Sequence, residues 1–187
     1  MCSPVGHIIA ASAVGVSCTR NRLTPAYVVF CIFSGIAPDL DLLIGWVLGD
    51  INGYHHLGSH SVVAALLYGL LVYMVVRVMT RDSGQANGWA VSGTLMYASH
   101  VLLDYLAADS SPPFGLQLLW PFSNEFYISP VSVFMRFMHD TQGADMWGLI
   151  SGMFIVHNFY AVVLETVLLL PLLLVAIVIR KRTHSIP

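Results

Sequence analysis

The sequence predicts an all-α fold, a polytopic integral membrane bundle of about five transmembrane segments. Hydrophobic residues make up 57% of the 187-residue chain and charged residues only 10%, whereas soluble domains average about 25% charged residues. The mean hydropathy is +0.75. The apolar residues also fall into runs that approach the roughly 20 residues needed to cross a bilayer. We therefore expect one membrane-embedded domain over residues 1–187.

The second predicted segment, residues 26–49, is long enough to cross but is interrupted by acids. Pro38 removes a backbone donor and Gly35 weakens the preceding turn, so we expect this helix to break just before Asp39. Pro38 suits a first helical position. Asp39 and Asp41 then lie in the new first turn, where an irregular start lets both carboxylates approach one point.

Four further apolar runs complete the predicted bundle. They are residues 5–18, 62–79, 89–106 and about 159–180. The first is short for a full crossing, and the others are long enough. Ser59 is the expected N-cap of the third helix. Prolines interrupt residues 107–145, which we predict to form an irregular extracytoplasmic cap with short helices lying on the membrane face.

Charge distribution predicts the orientation of this multi-pass protein in the cell membrane. With five crossings, seven of the eight Lys and Arg residues fall on one side. Positive residues favour the cytoplasm, so we expect a cytoplasmic C-terminus. The histidine- and aspartate-rich face is then extracytoplasmic.

Composition also excludes several alternatives. A net charge of −2 gives no reason to expect nucleic-acid binding. The three cysteines, Cys2, Cys18 and Cys31, have no paired spacing and are expected to be packing thiols rather than disulfides or zinc ligands. The N-terminus lacks a basic n-region, so no cleaved signal peptide is expected.

Histidines and aspartates at the segment ends form the candidate site. A charge at a helix centre costs about 2.5–3.5 kcal/mol on insertion scales, so a buried pair of carboxylates favours a bound cation. His100 and Asp104 lie four residues apart and share a helix face. Connectivity places the other donors at the same outer edge of the bundle. The predicted metal ligands are His7, Asp39, Asp41, His55, His60, His100 and Asp104.

This donor set predicts a metal-dependent reaction. Imidazole and carboxylate without thiolate suit zinc, manganese or iron, and seven donors exceed what one tetrahedral ion uses. We expect two or three zinc ions, with manganese or iron as alternatives. Two cations about 3.5–4 Å apart activate water and clamp the oxygens of a displacement at phosphorus. The predicted function is phosphoester hydrolysis by a metal-bound hydroxide.

The predicted depth of the site favours a lipid or lipid-linked substrate, because the ligands lie at headgroup level. The candidate catalytic residues are Asp39, Asp41 and His56, with His56 or a non-bridging aspartate protonating the leaving group. Structural alternatives remain open for the ligands: Asp39 and Asp41 can cap a helix, and His100 can simply hydrogen-bond to Asp104. Three histidines are expected outside the site, namely His139, His157 and His184.

Two other functions remain open from these residues. A divalent metal-ion transporter also uses paired His and Asp on a membrane helix, but its site lies near the midplane with access to both sides. A non-catalytic membrane assembly factor can use metal for folding alone. The clustering of the predicted ligands towards one face favours the hydrolase.

Five short motifs in a fixed order resemble a known family. They are Gly6-His7, Pro38-Asp39-Leu40-Asp41, His55-x4-His60-Ser61, His100-x3-Asp104 and Trp120-Pro121-Phe122-Ser123. Over about residues 3–127 the chain resembles the YdjM-like, SOS-associated membrane-bound metal-dependent hydrolases. That group is distantly similar to the zinc-dependent phospholipase C and nuclease superfamily. The resemblance implies a helical fold, hydrolase activity and metal binding by the seven residues given above.

The resemblance also implies which residues form the rim of the site, and the chain departs from the family pattern at one position. Residues 113–122 are implied to shape the edge of the site. The family usually has His-Arg at the third motif, whereas this chain has His55-His56. An arginine there suits contact with substrate phosphate. His56 is therefore expected to be either a further metal ligand or an acid.

Overall fold

The computed structural model describes residues 1–19, 23–49, 53–109, 114–138 and 150–184. In these ranges the regular secondary structure is helical, and the only β pairing consists of isolated bridges. The helices are α1 (Pro4–Cys18), α2 (Pro25–Ile36), α3 (Asp41–Leu48), α4 (Val62–Thr80), α5 (Ser83–Tyr105) and α6 (Val156–His184). Short 3₁₀ turns at Pro38–Leu40 and Gly58–His60 precede α3 and α4. The predicted all-α class is confirmed for the described residues.

Side-chain caps fix where four of the helices begin. The capping residues, whose side chains accept hydrogen bonds from backbone N–H groups in the first turn of α1, α2, α4 and α5, are Ser3, Thr24, Ser61 and Asp82. The prediction that Ser59 caps α4 is wrong. Its hydroxyl donates to the Asp41 carboxylate at 2.6 Å instead, and the chain runs two residues further before the helix starts.

The predicted break in the second segment is confirmed. Pro25–Ile36 and Pro38–Leu48 meet at a bend of 62°. Pro38 opens the 3₁₀ turn, and Asp41 begins α3. Gly35 lets α2 approach α1 closely, because a Cβ there would lie 2.9 Å from the backbone oxygen of His7.

Among the described residues, fewer helices than the predicted five are long and apolar enough to cross a membrane. Helices α4 and α6 qualify, and the bent α2–α3 pair makes a third if it forms one span. Helix α1 has only 15 residues, short of the roughly 20 required. Helix α5 has 23 residues but buries polar groups such as Ser92, His100 and Asp104. The prediction of about five segments is therefore too high by this criterion.

Helix α5 is central to the bundle. It packs against α1, α2 and α4, and α1 also packs against α2 and α6. Around it, the outward faces of α2, α4 and α6 carry exposed large apolar side chains, such as Val29, Leu66 and Val167. An apolar exterior around a polar interior is the arrangement expected for helices in lipid.

The segment after α5 is irregular, as predicted, but the short helices expected there are absent from its described part, residues 114–138. Ala108 N–H donates to the Phe134 carbonyl at 2.9 Å, and Leu116 and Tyr127 exchange two backbone hydrogen bonds of 2.9 Å. Over residues 114–138 the described chain contains turns and bridges but no helix. Residues 20–22, 110–113 and 139–149 lie outside the described residues, so part of the charge pattern behind the predicted orientation does too. The side of the membrane on which this segment lies remains a prediction.

Candidate metal centre

Four chain segments bring histidine and aspartate side chains together at one end of the bundle. His7 lies in the first turns of α1, and Asp39 lies in the 3₁₀ turn between α2 and α3. His60 ends the turn before α4. His100 and Asp104 occupy the last turns of α5. The predicted convergence of these ends places imidazoles and carboxylates at a common, largely buried point.

Four of the predicted ligands form a compact group, here called the Asp/His group: Asp39, His60, His100 and Asp104. One donor atom from each lies within 4.8 Å of the others. His100 Nε2 is 3.3 Å from Asp39 Oδ1 and 3.1 Å from Asp104 Oδ2. His60 Nε2 is 3.6 Å and 3.5 Å from the same two oxygens. The two Nε2 atoms are 3.3 Å apart.

These separations fit a tetrahedral ion. Zinc ligands lie about 2.0–2.2 Å from the metal, which places neighbouring donors of a regular tetrahedron about 3.3–3.6 Å apart. Four donors around one ion are separated by six pairwise distances. Five of these distances in the Asp/His group are given above, and all lie between 3.1 and 3.6 Å. The Asp/His group therefore has the donor types and the spacing for one divalent cation.

The group also contains unsatisfied buried oxygens. Asp39 Oδ1 and Asp104 Oδ2 are shielded from solvent and have no hydrogen-bond partner. Buried polar atoms are normally paired, and an uncompensated buried anion is costly. Both of these oxygens face the Nε2 atoms of the group, so a cation at their common point satisfies them.

Contacts behind the two histidines orient their rings. His100 Nδ1 lies 2.7 Å from the Gly35 carbonyl oxygen. Because a carbonyl only accepts, Nδ1 donates, and Nε2 is the nitrogen that faces the group. His60 Nδ1 faces Asp41 Oδ2 at 3.3 Å and the Ser59 hydroxyl at 3.1 Å. Carboxylate or carbonyl support of this kind fixes ligand histidines in metal sites.

The carboxylates set the charge of His60. Burial by itself lowers the pKa of His60, but the neighbouring carboxylates of Asp104, Asp39 and Asp41 outweigh burial and raise that pKa well above its ordinary value. A proton on His60 therefore balances the acids when no metal is bound. A metal ion must displace this proton in order to bind.

Asp41 and His55 lie beside the Asp/His group rather than in it. Asp41 reaches His60 through Nδ1, the nitrogen on the opposite side of the ring from the group. Its other oxygen, Oδ1, is 2.9 Å from His55 Nδ1. The Nε2 atom of His55 contacts the Met1 sulfur at 3.1 Å. The seven predicted ligands thus do not surround one point, and these two form a second layer behind His60.

His7 lies against the other side of the group. Its ring stacks on that of His100, with centroids 3.6 Å apart and an interplanar angle of 15°. Its Nε2 is 3.2 Å from Asp104 Oδ1. Neither ring nitrogen has a hydrogen-bond partner, although both are buried. His7 therefore remains available as a further donor next to Asp104.

His56 has an unusual environment for a histidine. Its backbone φ is 65°, in the left-handed region that non-glycine residues seldom adopt. Its Nε2 is buried without a hydrogen-bond partner. Burial, followed by the charges of His55 and His60, lowers the pKa of His56 well below its ordinary value. A neutral imidazole accepts a proton or binds a metal, so this environment does not favour the predicted role as an acid.

The predicted rim contacts the histidine loop directly. Gln117 N–H donates to the His56 carbonyl at 3.2 Å. The Trp120 ring lies over Gly58, where an added Cβ would come within 2.8 Å of the indole. The described part of the rim therefore holds the loop that carries the imidazoles, whereas Pro113 lies outside the described residues.

Sequence reasoning missed several supporting groups. The Cys2 backbone N–H donates to Asp104 Oδ1 at 2.6 Å, and Tyr97 donates to the Ser59 carbonyl at 2.7 Å. Glu165 of α6 accepts from Ser3. A lone acid in an apolar helix was the available signal for Glu165, but backbone contacts such as that of Cys2 have no sequence signature.

The histidines expected outside the site include one that the structure describes. His157 Nε2 donates to the Arg136 carbonyl at 2.8 Å, so its predicted packing role is confirmed. His139 and the side chain of His184 lie outside the described part of the chain.

Comparison with known proteins gives one match. A family model described as YdjM inner membrane protein matches residues 1–183, which extends beyond the motif-bearing region to α6. No curated protein and no solved structure matches the chain.

Proposed function

This chain belongs to the YdjM inner membrane protein family, and from that premise we propose that it is a membrane-bound, metal-dependent phosphoester hydrolase. The family description supplies the membrane location. The catalytic part of the proposal comes from the Asp/His group. It holds two anionic oxygens and two imidazole nitrogens at tetrahedral spacing, in an apolar bundle.

One observation carries the proposal: Asp39 Oδ1 and Asp104 Oδ2 are buried and lack hydrogen-bond partners. A purely structural cluster would pair such oxygens with donors. Here they face the Nε2 atoms of His60 and His100 at 3.1–3.6 Å. This arrangement supports a resident divalent cation.

Zinc is the proposed ion, because the donors are imidazole and carboxylate without thiolate. A bound zinc supplies Lewis acidity at phosphorus and makes water nucleophilic near neutral pH. The chain's own residues hold and orient the donors. Asp39 and Asp104 provide the negative charge, the Gly35 carbonyl fixes the His100 ring, and the carboxylate of Asp41 supports the His60 ring.

The location of the site at one end of the bundle supports a lipid or lipid-linked substrate, and the predicted orientation puts this end on the extracytoplasmic side. The Asp/His group lies where α1 and α4 begin and α5 ends, next to helices with apolar outward faces. A phosphoester at a lipid headgroup can approach such a helix end without leaving the membrane surface. The same location favours hydrolysis over transport, because transport sites lie near the bilayer midplane.

Metal analysis of the purified protein tests the proposal. We expect wild-type protein to retain divalent metal, and Asp39→Ala and Asp104→Ala variants to lose it. His157→Gln is the matched control, since His157 bonds a backbone carbonyl away from the Asp/His group. Wild-type protein that binds no divalent metal would refute the proposal.

Turnover assays then separate the competing functions. Phospholipids and prenyl phosphates in mixed micelles at neutral pH are the substrates to screen, with the Asp104→Ala variant as the inactive control. Metal flux into proteoliposomes without hydrolysis would favour a transporter. Loss of metal and fold together, with no turnover by wild type, would favour a non-catalytic assembly factor.

A further inference from the structure

Three imidazoles adjoin the Asp/His group through their shared member, His60. The ring centroids of His55 and His56 are 4.1 Å apart, and each lies 5.0 Å from that of His60. One ring nitrogen from each residue lies within 4.8 Å of the other two. The spacing is close enough for all three to bind one ion.

His56 does not have the contacts of a packing histidine. Its buried Nε2 has no hydrogen-bond partner, whereas the packing histidine His157 donates to a carbonyl. The backbone of His56 is also in the left-handed region, at φ 65°. A non-glycine residue in that region is retained where the surroundings or a function demand it. The bond from Gln117 N–H to the His56 carbonyl holds the loop in this conformation.

A carboxylate lies beside two of the three rings. Asp41 Oδ1 is 2.9 Å from His55 Nδ1, and Asp41 Oδ2 is 3.3 Å from His60 Nδ1. Ser59 donates to the same carboxylate at 2.6 Å. Carboxylates next to ligand histidines fix the rings and raise their basicity. Asp41 thus supports the His55 ring in the way that carboxylates support ligand imidazoles, and its other oxygen lies on the Nδ1 side of His60.

We propose that His55, His56 and His60 form a second transition-metal site, in which Asp41 supports the His55 ring and His60, whose Nε2 faces the Asp/His group, contributes its other ring nitrogen, Nδ1. Three imidazole donors suit zinc, cobalt, nickel or copper rather than magnesium or calcium, and they leave the fourth tetrahedral position open. This inference rests on the proposed function, which assigns the first ion to the Asp/His group.

Cobalt titration of the metal-free protein tests the second site. Bound Co²⁺ is counted by equilibrium binding in detergent, and its visible absorption reports each coordination environment. We expect two equivalents in the wild type and one in His56→Asn. Asparagine removes the imidazole but tolerates a left-handed backbone. His157→Asn is the control and should retain two equivalents. Asp104→Asn should retain the one equivalent that belongs to the three imidazoles.

The outcomes separate this inference from the proposed function. One equivalent in the wild type, unchanged in His56→Asn, would overturn the second site and leave the first intact. Two equivalents in both proteins would also overturn it. No bound metal in the wild type would remove both proposals. If asparagine lowers the unfolding temperature of the metal-free protein, His56→Gly repeats the test, because glycine adopts φ 65° without strain.

Discussion

Two clusters of buried polar side chains lie in the same apolar bundle, and they differ in whether hydrogen bonds satisfy them. Glu165 accepts a 2.9 Å hydrogen bond from Ser3 N–H and a second bond from the Ser3 hydroxyl. Asp39 and Asp104 each leave one buried oxygen without a partner. Both clusters are buried carboxylate sites, so burial alone does not identify a functional centre. The unpaired buried oxygens are what distinguish the candidate metal centre from the Glu165 cluster.

The satisfied cluster has a structural role. Ser3 caps α1 and is bound by Glu165 of α6, so the pair joins the two helices. Gly6 leaves room for this contact, since an added Cβ would lie within 2.9 Å of the Glu165 carboxyl carbon. The Cys2 N–H, which donates to Asp104, links this region to the unsatisfied cluster. The two clusters are therefore neighbours, so their different hydrogen bonding does not result from different locations in the bundle.

Replacing Asp104 by Asn should have the largest effect on this comparison. Asparagine keeps the shape but removes the negative charge from the Asp/His group. A ligand at about 1,000 times its Kd stabilises a protein by about 4 kcal/mol. We expect zinc to raise the free energy of unfolding of the wild type on this scale, and roughly half of that gain or more to disappear in Asp104→Asn. Unfolding with zinc and with chelator measures both values.

An equal zinc-dependent gain in wild type and Asp104→Asn would contradict this expectation. It would mean that the unpaired oxygens do not hold the ion. His157→Gln, which leaves the Asp/His group unchanged, should keep the full gain and serves as the control.

Replacing Glu165 by Ala should reduce stability but not metal binding. The change leaves the N–H and hydroxyl of Ser3 buried without their acceptor, and an unsatisfied buried group costs about 1–3 kcal/mol. We therefore expect a lower free energy of unfolding and an unchanged number of bound metal ions. Glu125→Ala is the matched control, because Glu125 is exposed and exposed substitutions usually change stability by no more than about 0.5 kcal/mol. Loss of metal from folded Glu165→Ala would show that the two clusters act as one.

Sequence reasoning identified the residues of the unsatisfied cluster. It did not identify which of the seven predicted ligands lie in the Asp/His group and which lie beside it. The i,i+4 spacing of His100 and Asp104 and the break at Pro38 are local properties, so they were predictable. Which nitrogen of His60 faces which carboxylate depends on the turn at residues 58–60 and on the Ser59 hydroxyl. That turn also has contacts with Gln117 and Trp120, far along the chain. Such long-range contacts leave no periodic signal.

The predicted number of membrane crossings is too high for a related reason. Apolar content indicates lipid exposure, but α5 packs against α1, α2 and α4 and buries polar side chains inside the bundle. The contact in the satisfied cluster was equally hard to predict from the sequence, because Ser3 and Glu165 are separated by 162 positions. Only the lone acid in an apolar helix indicated that Glu165 needed a partner.

The zinc-dependent gain should increase with pH. The pKa of His60 is raised in the metal-free protein, so the stability that its protonated ring contributes is present at low pH and is lost as pH rises through the raised pKa. Zinc replaces this proton and binds more tightly as pH rises. Metal-free protein should thus lose stability as pH rises from the ordinary histidine pKa of about 6.5 through the raised pKa of His60, whereas zinc-loaded protein should not. Chemical unfolding over a series of pH values above that ordinary pKa measures the gain, and a gain independent of pH would argue against proton displacement from His60.

The smallest expected effect concerns the support behind the histidine loop. Tyr97 donates to the Ser59 carbonyl at 2.7 Å, next to His60, and removing an outer partner of this kind costs about 10–100-fold in metal affinity. Tyr97→Phe should approach the lower end of that range, because the hydroxyl acts on the loop backbone and not on a ligand.

Tyr68→Phe is the matched control: the two rings pack 5.1 Å apart, but the Tyr68 hydroxyl bonds Ser34 instead. Both variants lose one hydrogen bond of similar energy, about 1 kcal/mol, so their unfolding energies should fall alike. Zinc affinity, measured by competition with a chromogenic chelator, should fall only in Tyr97→Phe. Equal affinities in the two variants would show that the loop holds its imidazoles without this tyrosine.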